Sequence, residues 1–117
     1  MPACRYAILH HTGHGEAHFD VMIEARSGGK LMTWRVAHWP IECAEPLVKL
    51  ADHRRDYLEY EGPVSRGRGE VRRVSGGTLK IEPRTGDGDV LQLTLEDGTR
   101  LLLLCPPSHG WALEPAL

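Results

Sequence analysis

VRRVSGGTLKIEPRTGDGDVLQLTLEDGTRLLLL, residues 71–104, decides the fold class. Its apolar and β-branched residues fall in short runs. Between the runs stand Gly76-Gly77, Gly86-Asp87-Gly88-Asp89 and Glu96-Asp97-Gly98-Thr99. Each interior glycine costs a helix about 1 kcal/mol, so a helix does not survive this spacing. Runs of this length between turn residues read as strands. The expected strands lie near 70–74, 78–82, 90–95 and 99–104, with Asp97-Gly98 supplying a type I′ hairpin turn.

The same punctuation extends upstream. RYAILH (5–10) reads as a first strand and AHFDVMIEA (17–25) as a second. RSGGK (26–30) is a tight turn in which Ser27-Gly28-Gly29 suits positive φ. LMTWRVAHW (31–39) returns as a third strand. WPIECAEP (39–46) is irregular, and LVKLADHRRDYLEYEGP (47–63) holds at most a helical turn before Gly62-Pro63 stops it. A last short strand covers Trp111 to Leu113. Closely spaced strands with turn signals predict an all-β barrel or sandwich, as a single domain over 1–117.

Composition narrows the function classes. The formal net charge is −2, so no bulk basic surface draws nucleic acid or membrane, and a nucleic-acid role requires a local site. The cysteines, Cys4, Cys43 and Cys105, are far apart and odd in number. They support neither a zinc knot nor a disulfide framework, and read as buried free thiols. No run approaches the ~20 apolar residues of a membrane span. The N-terminus has no signal-peptide pattern, so a cytoplasmic location is expected. Trp34, Trp39 and Trp111 read as core or rim packing.

Chemistry concentrates in two places. In HHTGHGEAHFDVMIE (10–24), strand alternation puts Phe19, Val21 and Ile23 on one face and His18, Asp20, Met22 and Glu24 on the other. Imidazole and carboxylate on one face suit a borderline divalent cation, with a third ligand from His10, His11 or His14. A loop of solvated histidines is the competing reading. The second place is Asp52-His53-Arg54-Arg55-Asp56-Tyr57, which offers an acid/base imidazole, a phenol and guanidinium groups suited to phosphate. Arg66 and Arg68 in SRGRG (65–69) offer a flexible phosphate-contacting loop, but a polar hairpin turn is the favoured reading.

AHFDVMIE, LMTWRV and ADHRRDYLEYEGP, followed by a glycine-rich turn and a strand, together resemble the 3′-phosphoesterase domain of bacterial and archaeal DNA ligase D, in its short stand-alone form. The resemblance runs from about residue 5 to the end and is strongest over 17–70. It implies a compact, mostly antiparallel β-barrel of about 6–8 strands, with a short helical or irregular segment near 46–60. It implies a divalent metal, Mn²⁺ before Zn²⁺ or another transition ion, on His11, His18 and Asp20. It places His53 and Tyr57 at the scissile phosphate. The implied activity is metal-dependent removal of a 3′-phosphate, and of a 3′-terminal ribonucleoside, from DNA or DNA/RNA 3′ ends, alongside a DNA ligase or end-joining proteins and away from membranes. Three departures matter: the family's glutamine shortly before the first histidine falls near Leu9, its longer N-terminal arm, which supports ribonucleoside removal, is expected to be missing, and the third is a charge. Met22 stands where the family carries a phosphate-contacting arginine; Arg35 or His38 is the candidate replacement for that charge, and Arg54 is a further phosphate-binding candidate. The alternative is a catalytically impaired module that binds DNA ends or a repair partner.

Overall fold

The structure is a computed structural model and describes residues 4–26, 28–84 and 86–116. Ser27 of the expected RSGGK turn and the first three residues lie outside this description; Gly28 has the positive φ expected, at 78°.

The chain is all-β. Among the described residues, ten strands form one antiparallel sheet: β1 (Cys4–Thr12), β2 (His18–Ile23), β3 (Leu31–Val36), β4 (Glu45–Pro46), β5 (Val48–His53), β6 (Gly62–Pro63), β7 (Glu70–Arg84), β8 (Asp87–Leu95), β9 (Arg100–Leu104) and β10 (Ala112–Pro115). The order across the sheet is β4-β10-β9-β8-β7-β1-β2-β3-β5, and β6 adds to the free side of β7. Its two ends, β4 and β5, are consecutive in the chain, separated only by Leu47, whose N–H donates to the Trp111 carbonyl at 3.0 Å. One run of backbone thus bridges both edges and nearly closes the barrel. Among the described residues, no helix is long and apolar enough to cross a membrane.

The strand total exceeds expectation because 45–63 is strand-rich. Only Arg55–Leu58 is helical, as a single 3₁₀ turn. Gly76-Gly77 does not divide β7 as expected. The strand runs through, with a bulge at Val74, because Ile8 pairs with Ser75 and Leu9 with Arg73. The glycines serve close approach: a Cβ at Gly76 would meet the Arg73 guanidinium, and one at Gly77 the Glu96 carboxylate. The 96–99 turn is also not type I′. Only Gly98 has positive φ, and Gly98 N donates to Leu95 O (2.9 Å) while Leu95 N donates to Thr99 O (2.8 Å). That is a type I turn with a left-handed glycine after it, held by Asp97 Oδ1 accepting from Thr99 N at 2.9 Å.

Alternation builds two apolar layers. Tyr6, Ile8, Val21, Ile23, Trp34 and Val36 point into the barrel and meet the leucines of β8–β10. Trp34 packs edge-on to Trp111 at 5.3 Å between ring centres. On the outer face Ala7, Leu9, Met22, Leu31 and Val71 are covered by Leu58, with Tyr57, Tyr60 and Val64 around it. The 3₁₀ turn is tied down by ion pairs Arg55–Glu24 and Arg5–Glu59. Cys4 and Cys105 are half-buried free thiols; Cys43 is exposed, contrary to expectation, because it sits in the loop before β4.

Candidate functional site

The second layer stops short of the β1–β2 hairpin, and there the outer face turns polar. His11 and His18 are direct cross-strand partners, and Asp20 lies two residues along β2 on the same face. The hairpin therefore converges the three side chains, which are 14%, 7% and 8% exposed respectively. One ligand atom from each lies within 4.8 Å of the others, so the group can hold a metal ion. The alternatives for the upstream histidine go elsewhere. His10 points to the opposite face and stacks on Phe19 (4.5 Å, 16°), and His14 is exposed in the hairpin loop.

Hydrogen bonding fixes which ring nitrogens face inward. His18 Nδ1 donates to the Glu16 carbonyl at 3.0 Å, and His11 Nε2 donates to the Arg68 carbonyl at 2.6 Å. A carbonyl only accepts, so each ring carries its proton on the outer nitrogen. In the neutral rings the inner atoms, His18 Nε2 and His11 Nδ1, are then lone pairs. They face Asp20 Oδ1 at 3.2 Å and Asp20 Oδ2 at 3.6 Å. Lone pairs set against a carboxylate repel unless a proton or cation lies between them. His18 Nε2 and Asp20 Oδ1 have no hydrogen-bond partner among the described residues, although both are buried. Two donors bound tetrahedrally at ~2.1 Å from one ion sit ~3.4 Å apart, which these spacings bracket. Outer N–H groups anchored on carbonyls are the usual second-sphere support of metal-bound histidines.

The triad forms the floor of a hollow of about 300 Å³. Its other polar lining is Arg35, His53, Tyr57 and Arg68. Arg35 comes from β3, where it pairs with Asp20 across the strands. His53 ends β5, with Nδ1 donating to the Ala51 carbonyl at 3.0 Å, which leaves Nε2 free. The Tyr57 ring stands edge-on to His53 at 5.5 Å. Sequence blocks 35 residues apart thus meet: the His18/Asp20 pair and His53 share one hollow.

Two expected phosphate ligands are not brought to it. His38 is exposed and pairs with Glu45 (3.1 Å) outside the lining, because it lies beyond the end of β3. Arg54 lines a neighbouring hollow with Asp56 and Tyr60, on the far side of Tyr57. Met22 is fully buried beneath Leu58 and lines no part of the groove. Arg68, for which a polar turn was the favoured expectation, is the further arginine that lines the hollow. The available signal was Gly69 beside it, which lets a charged turn approach Thr12 of β1 closely.

No family model matches the chain, and no curated protein matches it.

Proposed function

We propose that this protein is a divalent-metal-dependent phosphoesterase acting on nucleic-acid 3′ ends in the cytoplasm, with Mn²⁺ the favoured ion. The observation that carries the reading is the set of three inward-facing acceptors beside His53, Tyr57 and two arginines in one hollow. Its resemblance to the phosphoesterase domain of DNA ligase D supplies the substrate class. A divalent cation in the triad supplies Lewis-acid charge to a phosphoryl oxygen. Two histidines and one carboxylate suit Mn²⁺ or Zn²⁺ alike.

The protein's own groups account for the remaining needs. His11, His18 and Asp20 present their donors from rigid strands, so little reorganisation accompanies loading. Arg35 binds a phosphate oxygen and takes the place of the charge that Met22 lacks. His53 Nε2, the lone pair left by the Nδ1–H bond to Ala51, takes a proton from the attacking water and returns it to the leaving ester oxygen. The Tyr57 hydroxyl hydrogen-bonds the phosphate and orients it. Water adds to phosphorus, the P–O ester bond breaks, and the end is left as a 3′-hydroxyl.

The test is incubation with Mn²⁺ and a DNA primer ending in 3′-phosphate, then one ending in a single ribonucleotide. Phosphate release that disappears in His18→Ala and Asp20→Ala is the expected result. The burial of Met22 favours a second reading, a DNA-end or repair-partner binding module of the same fold. Tight end binding without turnover in this assay supports it. Absence of both end binding and turnover rejects both readings.

A further inference from the structure

We infer that Arg68 is an anion-binding arm of this site, and that it tunes the hollow to terminal phosphomonoesters. The inference rests on the reading of the hollow as a phosphate site.

The segment from Val64 to Gly69 is a closed loop. Val64 N donates to the Gly69 carbonyl at 2.8 Å. Inside it Arg66, Gly67 and Gly69 take positive φ values of 65°, 67° and 79°. Two contacts fix its position against β1. A Cβ at Gly69 would overlap the Thr12 carbonyl oxygen, so only glycine lets the loop sit this close. The Arg68 carbonyl then receives the proton of His11 Nε2.

The side chain of Arg68 is held as firmly as its backbone. Nε donates to the Ser65 carbonyl at 2.9 Å, and Nη2 donates to Ser65 Oγ at 3.1 Å. A guanidinium has five N–H donors, so three remain uncommitted. They belong to a residue that lines the triad's hollow. Among the described residues neither Arg68 nor Arg35 has an ion-pair partner, while Asp20 is engaged by the two histidines. A planar, pre-oriented guanidinium with spare donors binds a tetrahedral oxyanion at two points.

Charge balance selects among phosphates. A cation in the triad and two unpaired arginines leave the hollow with excess positive charge after Asp20 is counted. A terminal phosphomonoester carries close to two negative charges at neutral pH and an internal diester carries one. The second arginine therefore favours the monoester. It also supplies from the 64–69 loop a positive charge that β2 does not contribute at Met22.

The experiment is calorimetric titration of the Mn²⁺-loaded protein with inorganic phosphate and with dimethyl phosphate, for wild type, Arg68→Ala and Arg68→Lys. Mn²⁺ affinity is measured alongside. In Arg68→Ala we expect phosphate affinity to fall about 10-fold or more. Mn²⁺ affinity should stay within about two-fold, because the contact to His11 is made by a backbone carbonyl. The preference for phosphate over dimethyl phosphate should narrow, and Arg68→Lys should recover part of the loss. Unchanged phosphate affinity in Arg68→Ala, or wild type that binds no phosphate, overturns the inference. So does an equal loss of Mn²⁺ affinity, which marks Arg68 as mere support for the metal cradle. The two proposals fail separately. Arg68-dependent phosphate binding without hydrolysis of a 3′-phosphate primer rejects the esterase and keeps this inference. Hydrolysis that survives Arg68→Ala with unchanged phosphate binding does the reverse.

Discussion

Met22 carries a consequence for design at the scale of one residue. It is fully buried among Leu9, Leu31, Leu58 and Val71. Met22→Arg therefore places a charge in an apolar layer and leaves it unpaired. We expect about 3 kcal/mol or more of lost stability, read as a lower urea midpoint, with no gain in phosphate affinity. Asp20 and His18 behave in the opposite sense. With Mn²⁺ at a hundred times its dissociation constant, the folded protein should gain about 2.7 kcal/mol. That gain, followed as a metal-dependent rise in melting temperature, should vanish in Asp20→Ala. His18 and Asp20 were legible in the sequence because alternation alone places them on one face. The choice among His10, His11 and His14 was not, since it depends on pairing: His11 faces His18, whereas His10 faces Phe19. Nor was the burial of Met22, which comes from Leu58, a residue far along the chain.

Among the elements, the 3₁₀ turn Arg55–Leu58 and the loop 64–69 matter most, because they place His53's neighbour Tyr57 and the Arg68 carbonyl. Leu58→Ala removes the lid of the outer layer. We expect a cost of about 2–4 kcal/mol, and a weakening of phosphate binding as Tyr57 loosens; chemical denaturation and phosphate titration check the two parts. Gly69→Ala forces a side chain into a left-handed residue pressed on Thr12. It should lower Mn²⁺ affinity about 10-fold, because the carbonyl that orients His11 moves away. β1, β2, β3, β8 and β9 were readable, since apolar alternation and turn residues mark them. β5 was not. VKLADH is half polar and has no buried residue, and it becomes a strand through pairing with β3 rather than through burial. Gly76-Gly77 misled for a related reason. Glycine marks both turns and close approach, and only the neighbours Arg73 and Glu96 distinguish them.

For the whole molecule, Tyr6 and Asp87 contribute to the pH dependence of stability at its two ends. Burial, first among its causes, raises the Tyr6 hydroxyl above the ordinary tyrosine value, despite its 2.8 Å bond with Ser75. A raised folded value contributes stability that is complete below the unfolded value of ~10 and is lost as pH rises through the folded one. Tyr6→Phe should therefore flatten the alkaline limb of a plot of urea midpoint against pH. At the other extreme, the hydrogen bond from His109 (3.0 Å) lowers the Asp87 carboxyl, as does the backbone N–H of Asp89. A lowered folded value contributes stability present above ~3.9 and lost as pH falls through the folded one. Asp87→Asn should lower stability slightly at neutral pH and soften the acid limb, so that variant and wild type converge below pH ~4.

The run from Glu45 to His53 is sewn to β10 at one end and to β3 at the other. It has a consequence for how the protein comes apart. A ladder of strands in most sheets frays from two independent margins; here both margins belong to the same few residues. Peeling the C-terminal strand Ala112–Pro115 away from Glu45-Pro46 slackens the very segment that ends in His53. Occupancy of the hollow and anchorage of that strand are therefore expected to be coupled through this segment. A ligand that grips His53 should steady this segment, and amide exchange at Ala112, Leu113 and Glu114 should slow when phosphate is bound.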